Sequence, residues 1–259
     1  MTRYIFMGWD ARDGLAFDVA VRSIKRHAKS EVMVIPLKDH ELRRTGFYWR
    51  QYQVRPNGQK IDEVDGKPFS TDFSFARFCV PELARAMGIH DPVLFTDPDI
   101  MLRADINDLF DEWDDAYSVM CVQHNHQPKE ATKFDGMEQP RYFRKNWSSV
   151  MLLHPDRTKK LTLHKVNNQP GSDLHAMLWT GDSEIGALDP AWNHLVGYSE
   201  PNPDAKLVHF TLGDPSMTGR ANDEHADEWR SYLEPGEAEN PVTALVREPT
   251  PQWKQSKQF

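Results

Sequence analysis

The sequence contains little cysteine, no excess of positive charge and no long hydrophobic run. Its two cysteines, Cys79 and Cys121, both lie in apolar segments, which is typical of buried, reduced thiols rather than of a disulfide framework. The formal net charge of -8 excludes the broad basic surface that nucleic-acid binding requires, so we expect no nucleic-acid partner.

Membrane-spanning and secreted classes are also disfavoured. The sequence lacks an apolar run of about 18 residues, which a transmembrane helix needs. The opening residues 1–8 are too short for the apolar core of a signal peptide and fit a first strand instead. We therefore expect a cytoplasmic protein without a transmembrane segment, for which peripheral association with a membrane-borne acceptor stays open.

Several catalytic and phosphate-binding motifs are missing as well. The sequence has no Walker loop and no G-x-G-x-x-G, so a nucleoside triphosphatase or a dinucleotide-binding enzyme has no support. It also has no nucleophile elbow, although a Ser/His/Asp triad assembled from distant segments stays open.

Strand-like apolar segments alternate with segments of helical periodicity, which predicts an open α/β sheet flanked by helices. The predicted strands are residues 4–7, 32–35 (ended by Pro36), 93–96, 117–122, 150–153 and 207–210. The predicted helices are residues 15–28, a segment capped by Ser70 or Thr71 and ended by Gly88, then 106–113, 156–165, 173–179 and 226–233.

The remaining segments are polar. Residues 39–69 contain Gly and Pro and are predicted to form a loop or a small hairpin. Residues 234–259 are polar with several prolines, which is typical of a poorly ordered tail. We therefore expect one domain over residues 1–233, followed by a tail over residues 234–259.

The strongest chemical signal is Asp97-Pro98-Asp99, which directly follows the predicted strand 93–96. Pro98 fixes its own φ and disfavours helical geometry at Asp97, so both carboxylates lie on a stiff turn. Carboxylate oxygens at a strand end suit hard divalent cations and phosphates bound through them. A simple turn is the alternative explanation.

Polar clusters follow three of the predicted strands. In open α/β sheets ligands bind beyond the carboxyl ends of the strands. These clusters are Asp10 with Arg12, Asp97 with Asp99, and Gln123 with His124. Their common position predicts a binding site at this edge of the sheet.

Two further groups of residues are candidate metal ligands. His209 ends the last predicted strand, and a neutral imidazole beside two carboxylates makes a mixed N/O site that suits Mn²⁺ better than Mg²⁺. A hydrogen-bonded structural histidine is the alternative. His124 and His126 form a second possible metal pair, although a polar loop favours solvated or substrate-facing side chains.

Other polar and aromatic groups have both a functional and a structural interpretation. Asp182 and Glu184 could orient a sugar or stabilise a developing cation, or belong to a solvated loop or helix cap. The basic segment 141–146 could hold a phosphate or an acceptor, although a surface patch is favoured. Three tryptophans beside polar loops could stack on a sugar, although core positions are the usual ones; they are Trp9, Trp147 and Trp192.

Taken in order, six segments resemble the family 8 glycosyltransferases and related bacterial hexosyltransferase-like proteins with a GT-A fold. They extend over roughly residues 4–217 and are 5–10, 70–78, 95–99, 146–152, 182–184 with 192–193, and 209–215. The resemblance implies a GT-A-type, Rossmann-like open sheet. It also implies a retaining transfer of a hexose from a nucleotide-diphospho-sugar, with UDP as the expected nucleotide. The acceptor would be a glycan, a lipid-linked group or a protein, which the sequence does not identify.

The resemblance also implies residue roles. Asp97, Asp99 and His209 would hold Mn²⁺ or Mg²⁺ against the diphosphate, where the metal neutralises charge on the departing nucleotide. Asp182 and Glu184 would act at the transferred sugar. The expected donor-binding residues are Asp10, Arg12, Arg77, Gln123, His124, Ser148 and Ser149.

Two positions depart from the family pattern. Asp214 stands where many members have a phosphate-binding lysine, a role that Arg220 could take over, and Ser183 stands where they often have glutamine. These departures motivate a second hypothesis, a nucleotide-sugar-binding or glycan-binding protein without turnover. A sugar nucleotidyltransferase is a third reading, but the opening Gly8-Trp9-Asp10 does not resemble the basic, Gly-rich opening of that class.

Overall fold

The computed structural model describes residues 2–125 and 144–237. Its strands, in chain order, are β1 Arg3–Gly8, β2 Val32–Leu37, β3 Tyr52–Val54, β4 Lys60–Asp62, β5 Val93–Thr96, β6 Ile100–Leu102, β7 Val119–Cys121, β8 Val150–Leu153, β9 Ile185–Ala187, β10 His194–Leu195 and β11 Leu207–His209. Its α-helices are α1 Gly14–His27, α2 Asp39–Arg44, α3 Val80–Ala86, α4 Ile106–Phe110, α5 Leu163–Asn168, α6 Gly171–His175 and α7 Ala226–Arg230.

A six-stranded mixed sheet forms the centre of the fold, in the order β2-β1-β5-β8-β7-β9. β1 pairs in parallel with β2 and β5, while β8 is antiparallel to both β5 and β7. β1, β5 and β7 therefore point the same way, and β8 alone starts at the edge where they end. This reversal brings the residues before β8 to the carboxyl edge of its neighbours.

Apolar side chains bury both faces of this sheet. In β1, Phe6 belongs to one buried cluster, whereas Ile5 and Met7 belong to another. This division follows from the two-residue period of a strand. Helices on both sides complete the layers and confirm the predicted α/β class.

A second, three-stranded sheet has the order β10-β11-β6. Asp97-Pro98-Asp99 connects β5 of the large sheet to β6 of the small one. His209, at the end of β11, pairs in register with Ile100 at the start of β6. The junction of the two sheets thus sets Asp97 and Asp99 near His209.

The predicted strands agree well with the structure apart from the end of the second one, whereas β6, β9 and β10 were not predicted. β5 and β8 have the predicted bounds. β2 continues through Pro36 to Leu37, so the predicted stop at Pro36 is wrong. β2 lies at the edge of the sheet, where a residue without an N–H is tolerated.

Several helix predictions need correction. Residues 70–75 form turns instead of a helix start, and α3 begins only at Val80, after a 3-10 turn over Ala76–Cys79. Most of the predicted helix 156–165 is also turn, because the helix starts at Leu163 with Thr162 as its cap. The segment 39–69 contains the expected hairpin, β3 with β4, and the unpredicted helix α2.

The ends of the described part bear on two further expectations. Every helix in residues 2–125 and 144–237 is too short or too polar to cross a membrane. Glu237 receives hydrogen bonds from both terminal nitrogens of Arg22, so the chain beyond residue 233 begins against α1. The division between a domain and a tail stays a prediction, because residues 238–259 lie outside the described part.

Candidate functional site

Three side chains that the sequence singled out as metal ligands lie together. One ligand atom from each of Asp97, Asp99 and His209 lies within 4.8 Å of the others. His209 Nε2 is 3.2 Å from Asp99 Oδ1, and His209 is buried. Two backbone hydrogen bonds help to hold this arrangement. The Asp97 N–H donates to Ser149 O at 2.9 Å, and the Phe210 N–H donates to Asp99 O at 2.8 Å.

A buried chain of hydrogen bonds sets the tautomer of His209. The Ser149 hydroxyl donates to Asn146 O at 2.7 Å, so its lone pairs accept from Asn193 Nδ2 at 3.0 Å. Asn193 Oδ1 then faces His209 Nδ1 at 2.9 Å, and this nitrogen carries the proton. The lone pair of Nε2 is therefore directed at Asp99.

This donor set fits a divalent cation. A lone pair and a carboxylate 3.2 Å apart repel each other unless a proton or a metal ion lies between them. Histidines that bind metals usually donate their other ring N–H to a fixed acceptor, as His209 does to Asn193. Two carboxylates with one imidazole form a mixed oxygen and nitrogen ligand set that a divalent cation can use.

Arg77 links the metal-ligand candidates to the start of β8. Its guanidinium lies 2.8 Å from Asp97 Oδ1 and donates to Ser148 O, also at 2.8 Å. The rings of Phe73 and Phe95 lie beneath it at 5.3 and 4.9 Å. Arg77 therefore fixes the orientation of Asp97 and supplies a positive charge beside it.

A cavity of about 270 Å³ opens beside these residues. Asp97, Asp99, His209 and Arg77 all line it. Its other charged or ionisable lining residues are Asp13, Asp65, Lys67, Lys145 and His175. Among its remaining polar lining residues are Ser70, Thr71, Ser74, Asn146, Ser148, Ser149, Ser172 and Thr211. The cavity lining thus combines the group of Asp97, Asp99 and His209 with several hydroxyls and two lysines.

The carboxylates near the cavity repel one another. Burial, followed by the charges of Asp99 and Asp10, raises the pKa of Asp13 to about 7, against a smaller opposing effect of Arg12. Burial and the charge of Asp99 also raise the pKa of Asp214, although hydrogen bonds from Ser216 oppose the rise. A bound cation would relieve this repulsion.

Asp10 and Arg12 support the cavity from outside its described lining. Arg12 donates to both oxygens of Asp10, at 3.1 and 2.8 Å, and to Ser70 O at 2.8 Å. Asp10 Oδ2 also accepts the N–H of Asp72. Burial raises the pKa of Asp10, but these bonds outweigh it and lower the pKa overall. The pair therefore holds the turn that carries Ser70 and Thr71.

Gln123 and His124 follow β7 at the expected edge, but β8 separates that strand from β5. Gln123 donates weakly to Ile185 O at 3.4 Å, and His124 O accepts from the indole of Trp147. Both residues lie outside the described lining of the cavity. The alternative metal pair with His124 cannot be placed, because His126 lies outside the described residues.

Asp182 and Glu184 also lie outside the described cavity lining, in a 3-10 turn before β9. Asp182 is 85% exposed at its side chain and pairs with Arg144 at 2.7 Å. Glu184 accepts hydrogen bonds from the hydroxyl of Thr180, the Gly181 N–H and Lys160, which lower its pKa to about 2. This geometry matches the cap interpretation of the segment.

Arg144 and Lys145 of the basic segment are buried, so the surface-patch interpretation is wrong for these two residues. Lys145 lines the cavity, and residues 141–143 lie outside the described part. Arg220 binds Asp223 at 3.4 Å, and Asp214 accepts from Ser216 N–H at 2.8 Å. Neither side chain belongs to the described lining of the cavity.

The three tryptophans proposed for sugar stacking lie outside the described lining too. Trp192 is fully buried and its indole N–H donates to Glu112 at 2.6 Å. Lys38 lies over the ring of Trp9, and Arg144 lies over that of Trp147. Core packing and cation–π contacts therefore account for all three.

Sequence reasoning missed several cavity residues from distant segments. Asp65 and Lys67 follow the β3–β4 hairpin, and Asp65 accepts the N–H of Gly171 at the start of α6. His175 bonds the hydroxyl of Ser148 at 2.7 Å. Burial, reinforced by Arg77 and Lys145, lowers the pKa of His175 well below its usual value. The helical pattern of 173–179 marked His175 as part of a helix but gave no sign of its neighbours.

Comparisons with solved structures show the fold. The chain superimposes on the bifunctional glycosyltransferase WbbM with a TM-score of 0.60 at 16% identity, over 92% of this chain and 51% of that one. It matches the galactosyltransferase LgtC, solved with donor and acceptor sugar analogs, with a TM-score of 0.57 at 14% identity, over 97% and 99% of the two chains. GlyE from Streptococcus pneumoniae TIGR4 gives 0.54 at 17% identity, over 90% of this chain and 60% of that one.

The fold is therefore that of the GT-A glycosyltransferases. This chain spans only about half to three fifths of WbbM and GlyE. No protein-family model matches the sequence. A curated relative, Protein CDI from Arabidopsis thaliana, is 38% identical over 244 residues, which are 91% of this chain and 88% of the relative. The chain belongs to the same family as Protein CDI.

Proposed function

We propose that this protein is a divalent-metal-dependent glycosyltransferase of the family 8 type, which moves a hexose from a UDP-sugar to an acceptor with retention. The observation that carries the proposal is the convergence of Asp97, Asp99 and a correctly oriented His209 at one end of the cavity. The GT-A fold supports it, because that fold is shared with glycosyltransferases.

The proposed roles follow from the contacts. Asp97, Asp99 and His209 would hold Mn²⁺ or Mg²⁺, and the bound ion would neutralise negative charge on the departing diphosphate. Arg77 keeps Asp97 oriented, and Asn193 keeps the Nε2 lone pair of His209 directed at the metal position. The acceptor is a glycan, a lipid-linked sugar or a protein.

The donor would lie along the start of β8. Ser148 and Ser149 offer polar groups there, and Lys145 adds a positive charge for a diphosphate. Asp10 and Arg12 act as positioning residues for the turn at Ser70 and Thr71. Gln123 and His124 keep only the proposed role of contacting the outer part of a large donor or acceptor.

A binding protein without turnover is the second candidate. Its motivation is the position of Asp182 and Glu184 outside the described cavity lining, where Glu184 caps a turn and Asp182 pairs with Arg144. Glu184 is fully engaged by Thr180, Gly181 and Lys160, and its pKa of about 2 makes it a poor proton acceptor near neutral pH.

Thermal unfolding with UDP and a panel of UDP-sugars tests the donor site, first with Mn²⁺ and then with a chelator. A ligand at about 100 times its dissociation constant adds about 2.7 kcal/mol to the free energy of unfolding. We expect a shift that needs the metal and disappears in Asp99→Ala. The absence of any shift, with or without Mn²⁺, would contradict the UDP-donor assignment.

Hydrolysis of the stabilising donor separates the two candidates. Glycosyltransferases of this type are expected to release UDP slowly even without an acceptor, whereas a binding protein leaves the donor intact. The measurement is UDP release over time from wild type and Asp99→Ala, each with Mn²⁺. Donor binding without any UDP release would favour the second candidate.

A further inference from the structure

A second cluster of ionisable side chains lies behind the candidate donor site. It consists of His194 on β10 with Glu224 and His225, which directly precede α7, and we call it the histidine cluster. One ligand atom from each of the three lies within 4.8 Å of the others. His194 directly follows Asn193, the residue that orients His209.

Both imidazoles approach the same carboxylate. His194 Nε2 lies 2.9 Å from Glu224 Oε2, and His225 Nε2 lies 3.2 Å from Glu224 Oε1. The backbone N–H of Asn202 also donates to Oε1 of this carboxylate, at 3.0 Å. The two rings are nearly perpendicular, with centroids 5.9 Å apart. Each imidazole thus faces a different oxygen of the same carboxylate.

His225 is held in an unusual state. Its Nε2 is buried and forms no hydrogen bond, although Glu224 Oε1 is close to it. Its φ is +62°, in the left-handed region that few residues other than glycine adopt. The side chain is only 10% exposed. A buried imidazole nitrogen without a hydrogen bond, 3.2 Å from a carboxylate oxygen, needs an explanation.

A metal ion provides one. In a tetrahedral zinc site with bonds of about 2.0 Å, neighbouring ligand atoms are about 3.3 Å apart. In the histidine cluster each imidazole nitrogen lies at a similar separation, 2.9 or 3.2 Å, from a different oxygen of Glu224. Two imidazoles and a carboxylate form a ligand set that Zn²⁺ uses. His194 is 3% exposed and Glu224 26% exposed, so a water molecule could complete the shell from the side of Glu224.

The surroundings also fit an ion. His225 Nδ1 lies 3.8 Å from Glu228 Oε2, on the side of the ring where carboxylates often support metal-bound histidines. The nearby Arg103 directs its Nε at Glu228, at 2.8 Å, so its charge is matched by a carboxylate. The negative charge of Glu228 therefore offsets the repulsion between Arg103 and a bound cation.

We propose that His194, Glu224 and His225 bind a divalent transition-metal ion of the Zn²⁺ class, separate from the ion proposed at Asp97 and Asp99. This ion would join β10 to the segment before α7 and so brace the strand that continues from Asn193. Its role is structural. The proposal does not depend on donor binding or turnover.

Zinc stoichiometry in full-length protein tests the proposal. Asp99→Asn serves as the parent, since it disables the other candidate metal site. After chelator treatment and dialysis against Zn²⁺, we expect one zinc per chain in the parent and none in Asp99→Asn/His225→Asn. Asparagine tolerates the left-handed backbone, so this change removes the imidazole with little added strain. His90, 65% exposed at its side chain and bonded to Asp156, provides the matched control.

Two further measurements make the outcome decisive. Glu224→Gln in the same parent keeps an acceptor for Asn202 but removes the charge, and it should also lose zinc. Co²⁺ should give a tetrahedral absorption spectrum in the parent and in Asp99→Asn/His90→Asn, but not in the His225 variant. Parent protein without bound zinc, or a His225 variant that retains it, would overturn the proposal, provided circular dichroism shows folded chains.

Discussion

At the scale of single residues, Asn193 determines which nitrogen of His209 carries the proton. Replacing Asn193 by alanine removes the acceptor for His209 Nδ1, so the ring loses its fixed tautomer. Loss of such outer partners typically weakens metal binding 10-fold to 100-fold, and we expect a loss in about this range for Mn²⁺. Titration of Mn²⁺ followed by electron paramagnetic resonance measures the affinity.

A second buried asparagine supplies the control. Asn167 is 2% exposed and binds Leu163 O and the Trp49 N–H away from the cavity. Both alanine variants should lower the free energy of unfolding by about 1–3 kcal/mol, the cost of unsatisfied buried partners. Only Asn193→Ala should change the affinity for Mn²⁺. Equal affinities in the two variants would refute the role assigned to Asn193.

Glu184 should make stability depend on pH in acid. Its pKa is lowered to about 2, chiefly by the hydroxyl of Thr180 and then by the Gly181 N–H and Lys160. Because the folded pKa lies below the unfolded one, the carboxylate stabilises the fold above pH 4.5 and loses this effect as pH falls through 2.

Urea unfolding of wild type and Glu184→Gln at several pH values tests this expectation. The difference in free energy of unfolding between the two proteins should be largest near neutral pH and shrink continuously below pH 4.5. Glu200→Gln, which removes an exposed carboxylate elsewhere on the surface, serves as the matched control. A Glu184 difference that is independent of pH would contradict the assignment.

At the scale of elements, two glycines at the ends of neighbouring elements should respond oppositely to alanine. A Cβ at Gly8, the last residue of β1, would lie 2.5 Å from the ring of Phe73, which is buried and lines the cavity. We expect Gly8→Ala to lower the free energy of unfolding by about 1–3 kcal/mol, as other overpacked sites do. It should also weaken ligand binding, because Phe73 must move.

Gly14 is the matched control, since it starts α1 with helical dihedral angles and open space around its Cβ position. Gly14→Ala should raise the free energy of unfolding by about 0.4–1 kcal/mol, by reducing the entropy of the unfolded chain. Chemical denaturation of both variants is the measurement. Destabilisation by Gly14→Ala would contradict the open space around Gly14, and no destabilisation by Gly8→Ala would contradict the close contact between Gly8 and Phe73.

The elements also show what the sequence could predict. Buried strands such as β5 and β8 have continuous apolar runs, and their bounds were predicted correctly. The short strand β9, with the sequence Ile185-Gly186-Ala187, lacks such a run and was missed. The predicted stop at Pro36 was wrong because proline is tolerated in an edge strand, and local sequence does not show whether a strand lies at the edge or the centre of a sheet. Local patterns thus predict an element better than its place among other elements.

The same limit applies to the site. Asp97, Asp99 and His209 were predicted because each ends or follows an apolar strand, a signal that local sequence carries. Which residues face them depends on long-range topology. The antiparallel direction of β8 brings Ser148 and Lys145 to the cavity, and the hairpin brings Asp65 and Lys67. The resemblance pointed instead to Asp182 and Glu184, whose roles stay predictions.

At the scale of the whole molecule, the site is assembled from segments throughout the chain. Its described lining extends from Asp13 to Thr211 and includes the connection between β5 of the large sheet and β6 of the small one. The net charge of -8 does not favour an anionic diphosphate. We therefore expect binding of the proposed donor to depend on local positive charge from Arg77, Lys145 and a metal ion, and to weaken if the metal is removed.

The two cysteines should report unfolding of the whole molecule. Cys79 and Cys121 are fully buried in the same apolar cluster. Burial raises the pKa of both thiols, that of Cys121 to about 12, and only the thiolate reacts with disulfide reagents. We expect neither cysteine to be labelled at pH 8 in the native protein and both to be labelled together as denaturant unfolds it. Mass spectrometry of the labelled peptides distinguishes the two sites. If one cysteine reacts well below the unfolding midpoint, the cluster opens locally and the core is not one cooperative unit.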